Sequence, residues 1–249
     1  HAQPAIYLVG WIALQLLREQ APSISFEATA GLSLGEFTAL SAADAIGFED
    51  GLRVVRRRGE LMQKACEASS GGMAAIVGLD EEAVRGVCEQ AGVSLANLNC
   101  PGQIVVSGDA DKMDAACEAA KSAGAKRAIP LPVAGAYHSP LMQPAQAGLA
   151  EALASVELRE PSVPVYSNVT GKAHACAASI AGTMVDQVTS SVRWDACIHA
   201  MIADGVTRFI ELGPGTALTG FMRRIDRGLE MLNVADNDSL AKSAEALNA

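Results

Sequence analysis

The chain has 249 residues, half of them hydrophobic and only 4% aromatic, with a formal net charge of −9 at pH 7. Its length allows a sizeable core, as one large domain or one domain carrying a smaller insert. The acidic balance leaves no basic stripe to offset a phosphate backbone, which argues against nucleic acid, and the longest apolar run near the start, residues 5–17, is broken by Gly10 and Gln15 and has no basic leader, so it fits neither a membrane span nor a signal peptide.

Residues 4–19 are predicted as a buried helix that Gln20-Ala21-Pro22-Ser23 ends. A short β-prone run, residues 24–30, leads into Gly31-Leu32-Ser33-Leu34-Gly35, and an alanine-rich segment free of Gly and Pro continues as helix to about residue 46. Strand, tight turn and helix around Gly-x-Ser-x-Gly make a nucleophile elbow. The glycines let the two backbones pass closely and the serine sits in a strained turn with its hydroxyl projecting. The helix points the positive end of its dipole at Ser33, and the Leu34 amide is placed to donate to an oxyanion. A glycine-rich turn with an incidental serine has the same five residues, so partners elsewhere in the chain must decide.

A second long helix, from about residue 49 to 66, carries Arg53, Arg56, Arg57 and Arg58 on more than one face, and Ser69-Ser70-Gly71-Gly72 marks a joint. Shorter elements follow. Strands at 73–77, 93–97, 103–107 and 127–132 alternate with helices at 81–90 and 112–122 in the order βαββαβ, that of a ferredoxin-like unit. An insert over residues 71–132 is therefore expected within an α/β core made of residues 1–70 and 133–249. Beyond it come helix 141–156, strand 163–167, helix 182–188, helix 194–203, strand 207–212 and helix 217–225, an alternation that implies a largely parallel sheet. Residues 231–234 add an edge strand, and the polar tail after Asp236 is expected to be loosely held.

The six cysteines, Cys66, Cys88, Cys100, Cys117, Cys176 and Cys197, show no Cys-x-x-Cys pair and no histidine at metal-ligand spacing. They read as reduced, mostly buried thiols of a cytoplasmic protein. Cys100, beside Pro101-Gly102, reads either as a reactive thiol or as a small buried residue.

A serine nucleophile needs a base, and the chain offers four histidines. His1 is terminal, His174 is expected in a surface loop and His199 within a helix. His138 alone follows a strand in a loop, Val133-Ala134-Gly135-Ala136-Tyr137-His138-Ser139-Pro140, where Gly and Pro fix an unusual backbone, and it is expected as the general base. A solvated turn histidine is the alternative.

These segments, with Arg57-Arg58-Gly59-Glu60-Leu61-Met62-Gln63, the run Asn97-Leu98-Asn99-Cys100-Pro101-Gly102, Ser167-Asn168-Val169-Thr170-Gly171 and Glu211-Leu212-Gly213-Pro214-Gly215, resemble the malonyl-CoA:acyl carrier protein transacylases in content and order. The resemblance runs from Gln3-Pro4 to about Ser239. It implies an α/β-hydrolase-like core with a mainly parallel sheet and an inserted ferredoxin-like subdomain. It also implies transfer of a malonyl group from malonyl-CoA to the phosphopantetheine thiol of acyl carrier protein through a malonyl-serine, with no metal or redox cofactor.

Position by position, the resemblance makes Ser33 the nucleophile, His138 its base and the Leu34 amide an oxyanion donor. Arg58 would grip the malonyl carboxylate with a two-pronged guanidinium contact. Asn99 would help hold the network, and the backbone carbonyl of Gln187 would orient His138. Leu32 stands where most members have histidine, so an altered pocket lining is expected. The ring of Tyr137 leaves little room for an α-branch and favours malonyl over methylmalonyl. The family begins several dozen residues earlier, with a first strand and a Gly-Gln-Gly loop that supplies a second oxyanion donor, and that segment is expected to be absent here.

An acidic carrier protein is expected to dock near Lys126, Arg127, Arg223, Arg224 and Arg227, with the enzyme a monomer. Two rivals stay open. One is an acyl hydrolase on the same scaffold, against which Arg58 speaks, and the other is an inactive acyltransferase-like docking module.

Overall fold

The computed structural model describes residues 2–248, so His1 lies outside the described residues. Helix α1 (Ala2–Gln20) is followed by β1 (Thr29–Ala30), α2 (Gly35–Ala42) and α3 (Phe48–Glu67). Next come β2 (Gly71–Val77), α4 (Glu81–Ala91), β3 (Ser94–Cys100), β4 (Gln103–Asp109), α5 (Met113–Ser122) and β5 (Arg127–Pro130). The chain ends with α6 (Pro144–Ala154), β6 (Val165–Tyr166), α7 (Ala177–Asp186), α8 (Trp194–Ala203), β7 (Arg208–Leu212), α9 (Ala217–Ile225), β8 (Glu230–Val234) and α10 (Asn237–Asn248).

The architecture is mixed α/β. β1 pairs with β6 and β7 with β8, both parallel, while the middle strands form an antiparallel sheet in the order β3-β4-β2-β5. Parallel neighbours need a crossover, and here helices supply it. In the antiparallel sheet, Ile104 and Val106 of β4 point to the side where α4 and α5 pack. Val84, Val87 and Cys88 form the inward stripe of α4, which Asp80 caps by accepting from the Ala83 amide at 2.9 Å and which Gly92 ends at φ 66.

Polar contacts at two places help join this four-stranded unit to the rest. Val192 pairs with β3 through Leu98 N–H to Val192 O and Val192 N–H to Ala96 O, both 2.8 Å. Arg224 of α9 donates to Gln103 Oε1 at 2.6 Å and to Pro101 O at 3.0 Å in the β3–β4 turn. The largest core cluster packs α2, α3, α6 and α7 through Phe37, Leu40, Val55, Met62, Leu149 and Met184, and it is the bed on which the Ser33 turn rests.

Four expectations need correction. Helix α1 is buried on one side only. Tyr7, Gly10, Ala13, Leu14 and Leu17 face inward, with Gly10 so close to α2 that a Cβ there would lie 3.3 Å from Thr38 Cγ2, whereas Ile6 and Ile12 are 45% and 46% exposed. An almost wholly apolar stretch carries no periodicity from which to read its buried face. The tail after Asp236 is not loose but forms α10. Leu240 and Ala244 lie four apart on one face and enter a cluster with Ala13, Leu17 and Val234, and Asp236 caps the helix by accepting from the Ser239 amide at 2.8 Å.

The strand before the elbow is paired only over β1, and α2 ends at Ala42, ahead of a left-handed turn at Asp44 (φ 59). His174, expected at the surface, is the fourth: its side chain is 1% exposed and lies against Glu36.

Candidate active site

The site forms where two parallel strands end side by side. Thr29 and Ala30 of β1 register with Val165 and Tyr166 of β6, so the residues that follow each strand, Gly31 to Ser33 and Ser167-Asn168, are neighbours. Ser33 holds φ 52, a left-handed backbone that costs a non-glycine residue about 1 kcal/mol and must be maintained by its surroundings. Asn168 maintains it: its Oδ1 accepts from the Ser33 amide at 2.6 Å and its Nδ2 donates to Gly31 O at 2.8 Å. Gly31 is required sterically, because a Cβ there would lie 2.0 Å from both C and O of Gly35. The Leu34 amide, at the start of α2, donates to no acceptor among the described residues and is free for a developing oxyanion.

His138 also has left-handed backbone, φ 58, and is 4% exposed. Its Nε2 lies 2.8 Å from Ser33 Oγ and its Nδ1 2.9 Å from Gln187 O. A carbonyl can only accept, so Nδ1 carries the hydrogen and Nε2 turns its lone pair to the serine hydroxyl, the tautomer a general base needs. Burial first, then the charge of Arg58, pushes the imidazole down from 6.5 to about 4, which keeps it neutral at pH 7.

Arg58, from α3, is 1% exposed. Its Nη1 donates to Gln3 Oε1 at 2.6 Å, and its Nη2 to Ser33 Oγ and Gln187 Oε1, both at 3.0 Å. These partners are all neutral. No carboxylate lies within ion-pair distance among the described residues, and Nε has no hydrogen-bond partner. Burial lowers the guanidinium from 12.5 to about 10, opposed by the negative charge of Glu36, so Arg58 stays cationic at pH 7. A buried guanidinium without an adjacent counter-ion, in contact with Ser33 Oγ, has the charge and donors to meet an anionic group.

Gln187 does more than lend its carbonyl. Its side chain accepts from Arg58 and donates to Ser33 O at 3.0 Å and to Glu36 Oε2 at 2.7 Å. Asn99, by contrast, is buried on β3 with an unpartnered Oδ1 and makes no hydrogen bond to Ser33, His138, Arg58 or Gln187 among the described residues. Leu32 is half-buried against the cluster of Tyr166, Val192 and Trp194. Tyr137 packs between the main core and Met73, Ala96 and Val105 of the antiparallel sheet, and burial pushes its phenol up to about 12. Of the five basic residues, Arg224 is engaged with the β3–β4 turn, where it draws the end of α9 toward Gly78 and Lys126.

Sequence reasoning missed Gln3, Glu36, Asn168 and His174 as members of this network. For Asn168 a signal existed, its place just past a strand parallel to the one that enters the elbow.

The site contains an activated serine, a neutral base, a free amide and an unpaired cation, the means for acyl transfer through a covalent ester. Residues 1–242 match the family model described as the acyl transferase domain. The chain is similar to the malonyl CoA-acyl carrier protein transacylase of Bacillus subtilis (strain 168), 43% identical over 252 aligned residues that cover 99% of this chain and 79% of that protein. It is also similar to the crystal structure of malonyl CoA-acyl carrier protein transacylase from Clostridium perfringens, with a TM-score of 0.95 at 37% identity over 99% of this chain and 78% of that one. A further similar structure is that of a type II PKS acyl-carrier protein in complex with its malonyl-transacylase, with a TM-score of 0.94 at 36% identity over 98% of this chain and 80% of that one.

Proposed function

This chain belongs to the acyl transferase domain family, and from that premise we propose that it transfers a malonyl group from malonyl-CoA to the phosphopantetheine thiol of acyl carrier protein through a malonyl-Ser33 ester. The observation that carries the reading is Arg58, buried without a counter-ion and 3.0 Å from the nucleophile. A neutral acyl group would leave that charge unsatisfied, whereas a malonyl carboxylate meets it.

His138 Nε2 takes the proton of Ser33 Oγ as the oxygen attacks the thioester carbonyl, and the oxyanion rests on the Leu34 amide. As the carbon–sulfur bond breaks, the imidazolium returns its proton to the CoA thiolate. The carrier thiol then enters the same cleft, His138 takes its proton, sulfur attacks the ester carbonyl, and the proton goes back to Ser33 as the malonyl thioester leaves. The chemistry calls for no metal or redox cofactor. One chain supplies every group named, so a monomer suffices, and six free cysteines, five of them buried, support a cytoplasmic setting.

The four-stranded unit reads as a ferredoxin-like insert over residues 71–132. Its strand order and paired helices support this, with the parallel strands on either side of it in the chain belonging to a hydrolase-like core formed by residues 1–70 and 133–249. The acidic carrier is assigned to the basic side chains of Lys126, Arg127, Arg223 and Arg227. Tyr137 is assigned to exclude α-branched acyl groups, and Leu32 and Asn99 to the pocket wall.

Mass spectrometry after brief incubation with equimolar malonyl-CoA and methylmalonyl-CoA tests the reading. A malonyl ester on the Ser33 peptide is expected to outweigh methylmalonyl and to be absent from Ser33→Ala. A folded protein that forms no ester, or hydrolyses it without passing it to carrier protein, would overturn it.

A further inference from the structure

Glu36 is fully buried and accepts three hydrogen bonds. His174 Nε2 donates to Oε1 at 2.9 Å, and the Asn168 amide and Gln187 Nε2 donate to Oε2 at 3.0 and 2.7 Å. A backbone amide can only donate, and the Gln187 nitrogen also faces Ser33 O, so Oε2 is the acceptor from both. Its negative charge favours the cationic form of Arg58, and two of its three partners lead to the rest of the site. Through Asn168 it reaches the Ser33 backbone, and through Gln187 it reaches Arg58 and the carbonyl that orients His138.

The amide of Gln187 stands between two charges. Its oxygen faces the Arg58 guanidinium and its nitrogen faces Glu36. Turned over, it would press an NH2 group against a cation and an oxygen against a carboxylate. An acid in direct contact with Arg58 would fill the guanidinium edge that an acyl carboxylate needs. An acid one amide away gives the counter-charge and leaves that edge open.

We propose that Glu36, held by His174, is a positioning residue for Arg58: it fixes the orientation of the Gln187 amide and supplies a remote counter-charge, so that the guanidinium is preset for the carboxylate of the acyl donor. This rests on the malonyl-transfer reading. It assigns His174 a purpose that its expected surface position concealed, that of the third N–H donor that holds Glu36 in place.

Steady-state kcat and KM with malonyl-CoA and with acetyl-CoA, which lacks the carboxylate, test it. Gln fits the space of Glu36, because its oxygen can accept from Asn168 and Gln187 while its nitrogen faces His174 in the other tautomer. Glu36→Gln is expected to lower kcat/KM for malonyl-CoA by about tenfold or more and that for acetyl-CoA by less than about threefold. In an Arg58→Ala background the same substitution should leave the malonyl-to-acetyl ratio unchanged. An equal fall for both donors, the mark of a merely structural role, would overturn the proposal, as would no fall.

If Glu36→Gln does not fold, His174 decides. His174→Leu should lower the malonyl-to-acetyl ratio and His174→Gln, which keeps a donor, should restore it, while a ratio unmoved by either overturns the proposal. A wild-type protein without malonyl preference would instead overturn the functional reading, and this proposal with it.

Discussion

Ser33 and His138 lie 105 positions apart in the chain, yet both hold left-handed backbone, at φ 52 and 58, and their side chains meet at 2.8 Å. Each is clamped from a third place in the sequence, Ser33 by the side chain of Asn168 and His138 by the carbonyl of Gln187. The strain is local, but what maintains it is not. Gln187 is the junction, since one residue accepts from His138 through its backbone carbonyl and from Arg58 through its side chain.

The depressed His138 predicts an unusual acid limb. With the imidazole at about 4, the acylation rate measured by rapid quench should be nearly level from pH 7 down to about 5 and fall only toward pH 4. Because the Arg58 charge is the second cause of the shift, a folded Arg58→Ala should move the limb upward, toward 6.5. Stability follows the same sign. The unfolded chain binds a proton near 6.5 that the folded one refuses until about 4, so stability is full above 6.5 and falls as pH drops through that interval. His138→Gln, followed by chemical denaturation, should flatten that part of the profile.

Arg58 should not be replaceable by lysine. Its guanidinium serves Gln3, Ser33 and Gln187 at once, and a lysine ammonium cannot span them while offering a second edge to a carboxylate. Arg58→Lys is expected to lower kcat/KM for malonyl-CoA by roughly a hundredfold, with acetyl-CoA much less affected. Equal loss for the two donors would place Arg58 in the scaffold instead.

Gly31→Ala should cost about 3 kcal/mol or more, since a Cβ placed 2.0 Å from the Gly35 carbonyl forces the turn open. Thermal unfolding measures this directly. A variant with wild-type melting temperature and activity would mean that the elbow relaxes without cost. Gly35→Ala is the contrast, because nothing lies within 4 Å of its added Cβ, and it should fold normally.

Helix α4 shows what was legible locally. Its cap Asp80, its stripe of Val84, Val87 and Cys88 and its left-handed Gly92 all lie within a dozen or so residues, and its predicted bounds match the structure closely. The elbow was legible for the same reason, its turn chemistry being contained in five residues. Helix α1 was legible as a helix but not in its burial, because both its faces are apolar and only its neighbours decide which is covered. Helix α10 was missed outright. Its two apolar anchors have meaning only beside Ala13, Leu17 and Val234.

The sequence by itself set Ser33 in the turn of an elbow and His138 in a loop just past a strand, since each stands in a short segment whose backbone chemistry is local, whereas Arg58 was singled out from its arginine run only by the family resemblance. Only the tertiary structure decided which polar side chains would be buried together. It drew His174 out of an expected surface loop to Glu36, made Gln187 a two-sided bridge and kept Asn99 apart from the network. The reason is physical. A polar side chain is stable in the interior only when donors and acceptors from distant segments arrive to satisfy it, and no window of sequence contains those partners.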